Sequence, residues 1–140
     1  MHYREVSTAR EFVTRFETGA DWREELESLA DAEGIDAAFF FGLGAVQDAE
    51  VWFYDQTDTE YYPVEFDEPL EVAACVGNIS WLGDERFAHT HAVLSRADGE
   101  TLAGHLNAGT VFAGEVYVKT FEAPLERAFD DTTELDLWPL

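Results

Sequence analysis

Apolar positions along the chain change their period near Gly34. Before it, Trp22, Leu26, Leu29 and Ala30 recur at helical spacing. Asp21 stands just ahead of them as an N-cap with Glu24 three residues on, and Gly34 is placed to close the helix. Arg23, Glu24, Glu27 and Asp31 read as its solvated face. Upstream, Phe12, Val13 and Phe16 predict a strand running into Thr18-Gly19-Ala20. After Gly34 the apolar runs become short, aromatic and turn-punctuated. They predict strands over 35–46, 51–54, 61–66, 70–76, 87–95, 101–106 and 111–121, paired mainly antiparallel. Beyond Pro124, Leu125, Ala128 and Phe129 return to helical spacing and predict a short C-terminal helix. The expected fold is α+β: a mainly antiparallel sheet with one N-terminal helix packed on it and that short second helix. A length of 140 residues suits a single domain, 1–140.

Composition supports a packed core, since 46 % of residues are hydrophobic and 14 % aromatic. Charge changes the picture more. Thirty acidic side chains face eight basic ones, a net charge of −22, and Lys119 is the only lysine. A folded monomer of this size has about 7,300 Å² of surface, so its field repels phosphate backbones and anionic lipid heads. Acids spread along the whole chain, with almost no lysine, fit a cytoplasm of molar salt, where a Debye length of about 3 Å screens self-repulsion. A halophilic source is therefore expected, the alternative being an ordinary acidic protein that binds a basic partner; the absence of a signal-like or membrane-spanning run adds the expectation of a cytoplasmic location. The start of the chain has no apolar signal segment, and no apolar run is long enough to span a membrane. Cys75 is alone, which excludes an intrachain disulfide or a cysteine metal cluster, and reads as a small buried hydrophobe.

Chemistry gathers at three histidines. His89 and His91 sit two apart on one predicted strand and so share a face. His105 follows on the next strand, after the turn sequence Arg96-Ala97-Asp98-Gly99-Glu100. A three-residue loop Ala97-Asp98-Gly99 pairs Arg96 with Glu100 and places His91 opposite His105, with all three rings on one face. A two-residue Asp98-Gly99 turn sends His105 to the other face. Both registers are open, and the opposite charges of Arg96 and Glu100 favour the first. Three convergent imidazoles suit a divalent transition metal, and zinc with three histidines keeps a fourth position open. Ordinary strand histidines satisfied by hydrogen bonds are the alternative. His2, near the start, is unrelated to the group. Gly42-Leu43-Gly44-Ala45 lacks both the dinucleotide fingerprint and a P-loop lysine, and no nucleophile elbow is present. Trp52, Phe53, Tyr54, Tyr61 and Tyr62 read as core or subunit interface.

Several segments together resemble a known family. These are Gly77-Asn78-Ile79-Ser80, His89-Thr90-His91-Ala92-Val93-Leu94-Ser95, Ala103-Gly104-His105-Leu106-Asn107-Ala108-Gly109-Thr110-Val111 and Gly114-Glu115-Val116, with the earlier Phe41-Gly42-Leu43-Gly44-Ala45. In this order they are similar to the PPC domain, in its stand-alone prokaryotic form, over essentially the whole chain. The resemblance implies an α+β fold assembled as a homotrimer. It also implies a metal site whose ligands here are His89, His91 and His105, with zinc the expected ion. Asn78 and Glu115 are candidates for supporting the ligands, and no catalytic residue is assigned. The expected role is a trimeric metal-binding module with room for a small-molecule ligand at the metal. The alternatives are a metal-dependent enzyme acting on a small molecule, with Glu115 as a general base, or a DNA-associated regulator. Plant relatives join the domain to AT-hooks. This chain has no Arg-Gly-Arg-Pro segment and its cations are scattered, so tight direct DNA binding is not expected.

Overall fold

The computed structural model describes residues 1–140. Its strands are β1 (Thr8–Arg15), β2 (Ala38–Val46), β3 (Ala49–Asp55), β4 (Glu60–Phe66), β5 (Leu70–Leu82), β6 (Glu85–Ser95), β7 (Thr101–Ala108), β8 (Val111–Phe121), β9 (Ala128–Asp130) and β10 (Leu135–Leu137). One helix, α1 (Trp22–Glu33), lies between β1 and β2. Eight strands form one sheet in the order β1-β8-β2-β5-β6-β7-β3-β4, while β9 and β10 make a small hairpin. Every strand pairing in both sheets is antiparallel. No helix is long and apolar enough to cross a membrane.

The helix forms where its caps dictate. Asp21 accepts hydrogen bonds from the backbone N–H groups of Arg23 and Glu24, and Gly34 ends the helix at φ 63°, a left-handed conformation that costs glycine little. Trp22, Leu26 and Ala30 are fully buried, and α1 packs on β6 and β7. Alternation along the strands does the rest. Ala38 and Phe40 of β2, and Ala88, Thr90, Ala92 and Leu94 of β6, face the helix and the core. Phe39, Phe41, Leu43, Val76 and Val13 point to the opposite, helix-free face and stay exposed. Cys75 is buried in the core, and burial pushes its thiol up to about 12, leaving it inert.

Two expectations are corrected. Strand β5 does not stop at Val76 but continues to Leu82, because Gly77 admits the close approach of β6: a Cβ there would lie 2.1 Å from the His89 carbonyl oxygen. The C-terminal helix does not form. The only helix is α1, and the segment holding Leu125, Ala128 and Phe129 is extended. Trp81 N–H donates to the Leu125 carbonyl and Arg127 N–H to the Trp81 carbonyl, both at 2.8 Å, so the tail runs parallel beside the end of β5. Leu125 is buried there, while Ala128 and Phe129 are exposed and offer no helical stripe to bury. Asp130 then accepts from Thr132 and Thr133 N–H and turns the chain into β10.

Candidate metal centre

The β6–β7 hairpin sets the site. Its loop is the three-residue form: Arg96 N–H donates to the Glu100 carbonyl, Gly99 N–H returns to the Arg96 carbonyl, and Gly99 takes φ 88°. Arg96 and Glu100 also form an ion pair. The ladder that grows from this turn places His91 directly opposite His105. His89 and His91 share the helix-free face of β6, because Ala88, Thr90 and Ala92 turn inward. The ring centroids stand 5.0 Å apart for His89–His91, 5.0 Å for His89–His105 and 5.5 Å for His91–His105. One ligand nitrogen from each ring lies within 4.8 Å of the other two.

His105 is 8 % exposed, flanked by the rings of Trp52 and Tyr61 at 6.1 and 5.6 Å, and its Nδ1 is buried with no hydrogen-bond partner. Burial pushes His89 and His105 down to about 4, helped at His89 by the Arg127 charge and at His105 by His91, then Arg23 and Arg127. Burial also lowers His91. The three imidazoles are therefore neutral at neutral pH, with lone pairs free to bind a cation. A tetrahedral zinc with nitrogens at about 2.05 Å needs them about 3.3 Å apart. The nitrogens, within 4.8 Å of one another, are at most about 1.5 Å wider than that, and three neutral nitrogen donors suit the chemistry of such an ion.

The other candidates fall differently. Asn78 lies across the ladder from His89, but its Oδ1 accepts from Arg127 Nη2 at 2.7 Å and so holds that side chain. Glu115 is not brought to the histidines within the chain. It sits on β8 between Leu43 and Arg15, and β2 and β5 separate that strand from β6. Three ladder steps amount to about 14 Å. Glu115 was a candidate only by its nearness in sequence, and strand order places it too far away.

A cavity of about 460 Å³ opens beside His89 and His105. Trp52, Tyr61 and Phe87 supply aromatic walls, Arg23 and Arg127 supply charge, and β10 with Glu134 closes one side. Sequence reasoning assigned none of these to the site. Trp52 faces His105 because β3 pairs with β7, a non-local pairing that no neighbouring residues announce. Arg127 carried no local signal.

Residues 3–122 match the Plants and Prokaryotes Conserved (PCC) domain. No curated protein matches the chain. Among solved structures, the chain is similar to a metal-containing protein from Archaeoglobus fulgidus, with 38 % identity, a TM-score of 0.94 and 99 % of each chain covered. It is also similar to a plant- and prokaryote-conserved protein from Pyrococcus horikoshii, with 25 % identity and a TM-score of 0.93, over 100 % of this chain and 98 % of that one. A Ralstonia eutropha protein, provisionally described as DNA-binding, shares 26 % identity at a TM-score of 0.82, over 91 % and 90 % of the two chains.

Proposed function

Because the chain belongs to the Plants and Prokaryotes Conserved domain family, we propose that it is a metal-binding module, one domain per chain, working as a homotrimer in a salt-rich cytoplasm. In this reading His89, His91 and His105 hold one divalent transition ion, zinc. The observation that carries it is the convergence of three neutral imidazoles within 4.8 Å, one with a buried nitrogen left without a partner. A buried orphan nitrogen costs about 1–3 kcal/mol, and coordination removes that cost. The metal-containing description of the Archaeoglobus fulgidus protein supports the same reading. When bound, such an ion offers an open position as a Lewis acid. The chain's part is to hold the rings: the hairpin register orients His91 and His105, and Trp52 and Tyr61 keep water from His105.

The trimer is supported by the surface. The chain exposes 8392 Å², against about 7,300 Å² expected for a monomer of its mass. Large apolar side chains lie open on the helix-free face, where Val13 is 86 % and Phe41 60 % exposed. Contiguous apolar surface of this kind marks an interface.

Elemental analysis of the purified chain in molar salt tests the metal. About one zinc per chain is expected, lost in H89A and H105A. Metal content unchanged in both variants refutes the ligand set. Light scattering on the same sample tests the trimer, and a mass near one 15.8 kDa chain refutes it.

A further inference from the structure

Arg127 is the one half-buried cation in this acidic chain that has no carboxylate partner. Arg23, Arg86 and Arg96, the other half-buried arginines, each pair with Asp or Glu. Arg127 is held by neutral groups instead. Its Nε donates to Ser80 Oγ at 3.0 Å, one Nη to Asn78 Oδ1 at 2.7 Å and the other to the Asp136 carbonyl at 2.9 Å. A guanidinium has five N–H bonds, so two remain. The carboxylate of Glu134, on the cavity wall, accepts from the Thr59 hydroxyl; Asp136 accepts from Arg127 through its backbone oxygen, and its carboxylate acts on the guanidinium through space without forming an ion pair. Arg23 also approaches the Phe87 ring, and both guanidinium carbons stand 5.8 Å from that ring's centre.

We propose that the cavity beside His89 and His105 binds a small organic carboxylate, its oxygens on the two free N–H bonds of Arg127 and its apolar body against Trp52, Tyr61 and Phe87. A guanidinium fork matches a carboxylate's two oxygens. The volume of about 460 Å³ suits a small molecule with an apolar body. Arg23 is paired with Glu27, and Glu134 and Asp136 also line the wall, so the directed guanidinium fork of Arg127, rather than net charge, selects the carboxylate. The chain carries −22 overall, yet here two guanidiniums flank the imidazoles. The assignment deepens the metal-module reading by naming the ligand class of the same site, and a bound cation strengthens it without being required.

Calorimetric titration of the full chain with benzoate, in molar potassium chloride, tests the assignment. Benzamide serves as the neutral isostere and inorganic phosphate as the competing anion, and zinc-loaded and metal-free samples are run in parallel. Benzoate is expected to bind, and R127Q to weaken it about tenfold or more, the loss expected for charged hydrogen bonds, with zinc content unchanged. L137W, which puts a larger ring on the cavity wall and leaves Arg127 in place, is expected to lose benzoate as well; this covers the case in which R127Q disturbs the tail. Benzoate binding no tighter than benzamide overturns the proposal, as does binding unaffected by both variants or phosphate binding in preference to benzoate. If zinc fails to bind while benzoate still depends on Arg127, the metal reading fails and the carboxylate site stands. If zinc binds and benzoate does not, the carboxylate site fails alone.

Discussion

His91 and His105 are direct partners across the β6–β7 ladder, with ring centroids 5.5 Å apart. That pairing follows from a loop of three residues closed by Arg96 and Glu100. One residue more or less in the loop would turn His105 toward the core side of the sheet. The site therefore depends on turn chemistry at the far end of the hairpin.

Replacing His105 separates the metal's contribution from the fold's. In H105F an apolar ring takes the place of a buried nitrogen with no partner. The metal-free variant is expected to unfold at the wild-type temperature or above it. Zinc at about a hundred times its Kd should stabilise wild type by about 2.7 kcal/mol and leave H105F unmoved. Thermal melts with and without zinc check both halves, and an H105F stabilised as much as wild type contradicts the ligand assignment.

Metal-free stability is expected to fall on acidification between pH 6.5 and about 4. His89 and His105 sit near 4 in the folded chain, chiefly because burial disfavours their charged forms, against an ordinary 6.5. Across that window the unfolded chain binds more protons, so lower pH favours unfolding. The contribution is fully present above 6.5 and is lost as pH falls toward 4. Urea unfolding of wild type and H105F at several pH values isolates it, and the variant should show the shallower slope. Equal slopes would falsify the burial argument.

G77A is expected to damage fold and site together. An added Cβ would meet the His89 carbonyl at 2.1 Å and the Phe40 ring at 2.4 Å. Overpacking of this kind costs about 1–3 kcal/mol, and the strand carrying His89 must shift to relieve it. Denaturant unfolding should show the loss, and zinc titration should show weaker binding. A variant with normal zinc affinity would mean that β6 absorbs the clash without moving the ring.

Salt is expected to raise the melting temperature. Going from about 0.1 M to about 1 M shortens the Debye length from about 10 Å to about 3 Å, which screens the repulsion within a chain of charge −22. A melting temperature flat in potassium chloride across this range argues against adaptation to high salt.

Duplex DNA is expected to bind weakly. Arg10, Arg23, Arg86, Arg96 and Lys119 are already paired with carboxylates, and Arg127 faces the cavity. Only Arg4 and Arg15 remain, too few to release many counterions. An anisotropy titration at about 0.1 M salt checks this, and saturable binding below micromolar by the purified chain would reverse the conclusion.

Much of this protein is written locally. Asp21 and Gly34 bound the helix because their side chain and conformational freedom act within three or four residues. The face shared by His89 and His91 follows from strand parity. The pairing of His91 with His105 was one of two registers the sequence allowed, and the charges at Arg96 and Glu100 pointed to the one that forms. Strand order was not legible in the same way. Glu115 had suitable chemistry, yet its distance from the histidines depends on β2 and β5 lying between, a choice made by the whole sheet. The tail misled for a related reason. Leu125, Ala128 and Phe129 carry a helical period, but the backbone groups of Trp81 at the end of β5 offered hydrogen bonds, and satisfying them outweighed a short helix with little to bury. That pairing carries Arg127 to Ser80 and Asn78, nearly fifty positions away in the chain. Turn and cap chemistry is short-ranged and can be read from neighbouring residues. The position of a distant cation depends on which strands close the sheet, and only the tertiary structure decides that.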